Sequence, residues 1–247
     1  MAGVLIREMI NFSSFWRSAT FSSTVDPTIY LLAFGFGIGS LVTEVDGLDY
    51  VQFVGTGTVA TAVLFSSALP SMFGTFVKYR FQRTYDAILA APVDTEELVT
   101  AEMLWIGIRA GTYGCVPLLV SMLFGLEPRW SMLTVPLIGF VAGYGWAGFG
   151  TGVAATMNSI DNFSYVMSGV ITPLFLVAGT FFPIDQFPNW AQLLAQFNPL
   201  FHTVQLVRHA SFGWQGWADV WNFGFLVGFA LLTWRLAIWR MTIRLVD

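Results

Sequence analysis

Residues 78–103 read KYRFQRTYDAILAAPVDTEELVTAEM, and they separate two apolar runs of membrane length, 51–77 and 98–124. Two helix signals lie inside the stretch. Thr84 stands where it can cap a short helix, YDAILAA, that Pro92 would end. Asp94 followed by Glu97 then forms a capping-box pattern that opens the next run, with Glu96 and Glu97 at the amino end that favours acidic side chains. The short helix is expected to expose Tyr85, Ile88 and Leu89. Such a patch either anchors in a groove of a cytosolic partner or packs on the amino-terminal helix.

Outward from that connection, the composition excludes most soluble classes. The chain of 247 residues is 55% hydrophobic and only 11% charged, with a mean hydropathy of +0.67. Its solvent is therefore mostly lipid. Aromatic residues make up 17%, and Trp16, Trp130, Trp190, Trp214, Trp217, Trp221 and Trp239 stand near run ends, as expected of rings resting at the headgroup level. Ten Arg and one Lys scattered among spans form no basic patch, so nucleic acid is not an expected partner. A single cysteine, Cys115, allows neither an internal disulfide nor a Cys-type metal site. The opening residues, 1–20, have their apolar positions interrupted by Arg7, Glu8 and Arg17, and read as an amphipathic helix lying on the membrane face.

A helix crossing the hydrocarbon core needs ~20 mostly apolar residues. Charges bracket six candidates: 26–43, 51–77, 98–124, 131–157, 162–182 and 219–239. With the amino terminus inside, Arg7, Arg17, Lys78, Arg80, Arg83, Arg235, Arg240 and Arg244 fall on the cytoplasmic face and only Arg129 and Arg208 outside, eight against two. Both termini are then cytoplasmic and the acidic turn Glu44, Asp46, Asp49 is external. The fold class is an all-α membrane protein, one domain over 1–247.

The segment 183–212 is free of lipid-compatible continuity: Pro188, Asn189, Asn198, Pro199 and His202 interrupt it. It is read as a re-entrant pair of short external helices, the first starting near Asp185 and Pro188, the second after Asn198-Pro199. Small-xxx-small pairs, Gly35/Gly39, Gly107/Gly111, Gly139/Gly143, Gly148/Gly152 and Gly224/Gly228, permit close helix approach. Arg109 lies about ten residues into the third run, where a charge costs at least ~2.5 kcal/mol. It must point into the bundle or a wet cavity. His202 and His209 lack the neighbours of a metal site and suit interfacial hydrogen bonding. No P-loop is present, since the one lysine, Lys78, is followed by Tyr79.

RTYDAILAAPV followed by DTEELVTAEMLW resembles the coupling-helix region of ABC-2 type exporter permeases, whose pattern is Tyr-x-x-(Ile/Leu)-Leu-Ala-x-Pro before the third span. FFPIDQFPNWAQLLAQFNPLFHTVQLVR is similar to the same family's external Phe-Pro-x-x-x-(Leu/Phe)-Pro-x-Trp and Asn-Pro-Leu-x-His elements. Within the family the resemblance is to the nodulation-type lipo-oligosaccharide and antibiotic-resistance export branch. It implies a multi-pass protein of the bacterial plasma membrane, with residues 84–92 as the cytoplasmic coupling helix. Tyr85, Asp86, Ile88, Leu89 and Pro92 would then engage a cytosolic ATPase present in two copies, which binds the ATP and Mg that this chain does not. A second copy of the chain would complete the path for an amphipathic cargo such as a lipid-linked oligosaccharide, glycolipid or hydrophobic drug. Phe187, Trp190 and Phe201 would meet that cargo at an external gate or plug, and Arg109 would line its path or serve a structural partner. A membrane-embedded enzyme acting on lipid-linked substrates and an ion-coupled carrier are the alternatives.

Overall fold

The computed structural model describes residues 1–39, 41–42 and 44–246, with backbone alone at 15, 22–24, 26, 27, 36 and 246. The chain opens with α1, Ala2–Gly37, a single helix of 36 residues. A hairpin of β1 (Glu44–Val45) and β2 (Leu48–Asp49) follows, closed by Asp46 and Gly47 at φ 54° and 75°. Asp-Gly suits that turn because both central residues take positive φ. Asp49 then caps α2, Tyr50–Arg80, its carboxylate accepting from the Val51 N–H at 2.8 Å. The short α3, Thr84–Leu89, leads to α4, Thr95–Leu123. A 3-10 turn, Trp130–Thr134, feeds α5, Val135–Thr156.

Beyond α5 the chain is broken. α6, Phe163–Val166, runs through a π-helical turn, Met167–Ile171, into α7, Thr172–Leu176. Two short helices follow, α8 (Asn189–Ala195) and α9 (Pro199–Phe212), and α10, Trp217–Val246, ends the chain. Among the described residues, four helices are long and apolar enough to cross a membrane: Tyr50–Arg80, Thr95–Leu123, Trp130–Thr156 and Trp217–Leu245. The structure is that of an all-α membrane protein with one small hairpin.

Three expectations change. The surface helix 1–20 and the first run 26–43 are not separate elements: one helix runs from Ala2 to Gly37, its backbone passing through Pro27. That run also stops short of 43, where the hairpin begins; residues 40 and 43 lie outside the described residues. The run 162–182 is helical only over Phe163–Leu176, about 21 Å by the rise per residue, less than the hydrocarbon thickness. Its remainder folds against α2, where a Cβ on Gly57 would come within 2.5 Å of the Thr180 carbonyl oxygen. Finally, Thr84 does not cap α3: Arg83 turns the chain in the left-handed region at φ 51°, and the Thr84 hydroxyl reaches the Gln82 side chain instead.

α5 is the central post, packed on α2, α4 and α10. Its small residues set the spacing. A Cβ on Gly143 would meet the Ala110 methyl of α4 at 2.4 Å, and one on Gly150 would meet Ser71 and Ala68 of α2 at 2.0 and 2.6 Å. The Gly224/Gly228 pair, by contrast, faces open space within 4 Å. Gly150→Val is therefore expected to destabilise the purified chain by about 1–3 kcal/mol through overpacking. Gly228→Val should leave its thermal unfolding in detergent unchanged.

Candidate functional site: a charged junction beneath an amphipathic cavity

At one end of the bundle four helices meet through charge. Lys78, near the end of α2, places Nζ 2.9 Å from Glu8 of α1 and 2.9 Å from Glu102 of α4. Arg7 donates to the other oxygen of Glu8 at 2.9 Å. The Tyr85 hydroxyl of α3 donates to the second oxygen of Glu102. Two cations balance two carboxylates, so the junction is neutral, and Glu8 and Glu102 are buried. Burial, reinforced by the Glu102 carboxylate it donates to, raises the Tyr85 phenol well above the ordinary tyrosine range, and the ring stays a proton donor.

This geometry corrects the expected exposure of Tyr85. Its ring is only 1% exposed and packs with Val4, Leu98 and Met241. The reason is the buried carboxylate: Glu102 needs a donor, and the first turn of α3 can reach it. Ile88 and Leu89 are half-buried against the same cluster, whereas Asp86 and Pro92 are exposed. Asp94 stands at the amino end of α4 as expected, although its side chain makes no cap hydrogen bond there.

Above the junction lies a cavity of about 700 Å³ between α1, α2 and α4. Its α4 wall is Glu102, Trp105, Ile106 and Arg109, spaced i, i+3, i+4 and i+7 on one helical face. Its α2 wall carries Phe65, Leu69 and Phe73, with Lys78 at the base. Arg109 points into this cavity region rather than to lipid. Its guanidinium carbon sits 4.8 Å from the Phe12 ring centroid and 5.8 Å from that of Tyr113. Among the described residues it forms no salt bridge, and its buried Nε has no hydrogen-bond partner.

The segment between α7 and α10 is pinned by polar contacts. Asn198 caps α9 by accepting from the Leu200 N–H at 3.0 Å and donates to the Leu174 carbonyl at 2.7 Å. His202 is fully buried, stacked on Phe225 of α10, 2.7 Å from the Asn222 amide oxygen and 2.9 Å from the Gln196 carbonyl. His209 pairs with Asp219. Both histidines thus hydrogen-bond as expected, and no metal-ligand cluster exists among the described residues. Arg208 lies 3.6 Å over the Phe53 ring and donates to the Gly179 carbonyl at 2.7 Å, tying the unwound stretch after α7 to α2. Phe201 and Arg208 line a second cavity of about 340 Å³ under the hairpin. Phe201 is buried, Phe187 half-buried and Trp190 66% exposed, so these three do not form one surface.

Glu8, Lys78 and Glu102 were not among the expected site residues. The available signal was a carboxylate, Glu102, at i−7 from Arg109 on an otherwise apolar face.

Long apolar helices around a cavity with a charged base define a polytopic membrane protein with an internal amphipathic site. A family model described as ABC-2 type transporter matches residues 3–212, and the chain belongs to that family. It is a subunit of a membrane transporter. The chain is 32% identical over 203 residues to Nodulation protein J of Rhizobium leguminosarum bv. viciae, covering 80% of this chain and 78% of the relative. It is 28% identical over 237 residues to Nodulation protein J of Sinorhizobium fredii, covering 94% and 90%. The Inner membrane transport permease YadH of Escherichia coli K12 is 26% identical over 243 residues, covering 96% and 93%.

Removing the central cation exposes what the junction is worth. Lys78→Met leaves two buried carboxylates without their shared partner and is expected to cost about 3–5 kcal/mol. Adding Glu102→Gln should recover part of that loss in thermal unfolding.

Proposed function

We propose that this chain is the transmembrane subunit of an ATP-driven exporter of the bacterial inner membrane. Two copies of it work with two copies of a cytosolic ATPase to move an amphipathic cargo outward. The family membership and the names of its relatives, a nodulation protein and an inner membrane transport permease, support this reading. Six crossings are formed by α1, α2, α4, α5, the α6–α7 segment with the residues after it, and α10, with both termini cytoplasmic. α8 and α9 lie at the outer boundary, where the exposed Trp190 and the half-buried Phe187 meet cargo leaving the path, while Phe201 stays buried beneath them.

The observation that carries the proposal is the Tyr85–Glu102–Lys78–Glu8 chain of contacts. It joins the candidate coupling helix α3 to three helices that wall the cavity. The ATPase contacts the outer side of α3 through Asp86, Pro92 and the edges of Ile88 and Leu89. Tyr85 acts one step further in, passing displacement of α3 to α1, α2 and α4. Closure of the two ATPases then rocks the bundles as rigid bodies, a switch of the kind two-state transporters use. ATP and Mg belong to the partner.

Co-expression with the ATPase encoded nearest this chain separates docking from transmission. Leu89→Asp should lower co-purification about tenfold, a decade in affinity. Tyr85→Phe should retain the ATPase and lose cargo-stimulated hydrolysis; undiminished recovery with Leu89→Asp counts against docking at α3. Topology has its own check. In a Cys115→Ser background, Ala87→Cys should react with an impermeant maleimide in inverted vesicles only, and labelling in intact cells would sink the inward placement of α3.

A further inference from the structure

Among the described residues, the charge balance of the cavity leaves one cation over. Arg7 and Lys78 are matched by Glu8 and Glu102, all at the base. Arg109 stands two helical turns away on the same α4 face, about 10 Å along the axis. Around it are Phe12, Trp105 and Tyr113, aromatic faces that stabilise a cation without neutralising it. Its Nε–H is buried and unpaired among the described residues. A permanent charge at membrane depth that forms no ion pair among the described residues is an expensive arrangement. A planar guanidinium with an unused donor is also the geometry that grips an oxyanion through parallel hydrogen bonds.

We propose that Arg109 is the headgroup-recognition residue of this cavity and that its ligand is an amphiphile bearing an oxyanion, phosphate or carboxylate. The headgroup lies against Arg109, and the apolar body lies along Phe65, Leu69 and Phe73 of α2. The volume of about 700 Å³ lies in the ligand-sized range of ~300–1,000 Å³. The neutral junction at the base repels neither end of such a molecule. This assignment rests on the exporter reading for its biological meaning, since it names the cargo class, but binding itself requires no ATPase.

The test is competition for tritiated oleoyl-lysophosphatidate on the purified full-length chain in neutral detergent. Unlabelled oleoyl-lysophosphatidate should compete at least about tenfold better than oleoyl-lysophosphatidylcholine, which has the same tail and no net charge. Arg109→Gln should abolish that preference, while Arg109→Lys, which keeps the charge and loses the fork, should retain part of it. Arg235→Gln, a cation outside the cavity, should leave it intact. Inorganic phosphate should not compete at millimolar concentration, because it offers nothing to the apolar wall. Equal competition by the two lipids, an unchanged preference in Arg109→Gln, or competition by phosphate alone would each overturn the proposal. If Arg109→Gln does not fold, the Arg109→Lys result decides: full retention of the preference overturns the recognition role of the fork, and partial loss supports it. Headgroup preference without any ATPase-dependent transport would count against the exporter reading and leave the site standing.

Discussion

The structure depends on a lysine held between two carboxylates inside an apolar bundle. Taking any of these groups out of water costs several kcal/mol, and a single ion pair would not offset it. Lys78 is tolerated because Glu8 and Glu102 both reach it, because Arg7 takes the remaining oxygen of Glu8, and because the Tyr85 hydroxyl satisfies the remaining oxygen of Glu102. The five groups come from four helices. The junction therefore exists only when α1, α2, α3 and α4 are docked in one arrangement, and it makes their relative positions mutually dependent.

The rest of the bundle lets those helices converge. α5 presents glycines where α2 and α4 come closest, so backbones approach without side chains between them. Tight packing on that side contrasts with the opening between α1, α2 and α4, where bulky rings at Phe65, Phe73 and Trp105 line a cavity. One side of α2 thus meets helices and another meets open space. At the opposite end, Arg208 and Asn198 stitch the broken segment after α7 to α2 and α9 through carbonyl groups. Those carbonyls belong to an unwound and a helix-terminal stretch, where backbone acceptors lack their intrahelical donors.

Membership of the ABC-2 type transporter family gives this arrangement its sense. On the proposed reading, the subunit receives displacement from a separate ATPase at one point and spreads it through the bundle. A short helix that is exposed on one side and hydrogen-bonded to a buried carboxylate on the other suits that task. Here the buried side is Tyr85 and the carboxylate is Glu102, which also sits at the base of the cavity. The short helix α3 and the cavity are thus one hydrogen bond apart.

The sequence alone determined the membrane class, the four apolar helices of membrane length, the short helix after α2 and the break at Asn198-Pro199, because these follow from local composition, spacing and charge. It did not determine that α1 is continuous or that the run after α5 unwinds, since proline, π-turn and back-folding depend on what α2 offers as a neighbour. It misplaced Tyr85 as a surface residue. An aromatic on a six-residue helix reads as exposed until the partner is known, and that partner, Glu102, lies 17 residues on, in another helix. The pairing of Lys78 with Glu8 spans three-dimensional space that no local pattern encodes. Helical periodicity says which residues share a face, but only packing says whether that face meets lipid, another helix or a cavity.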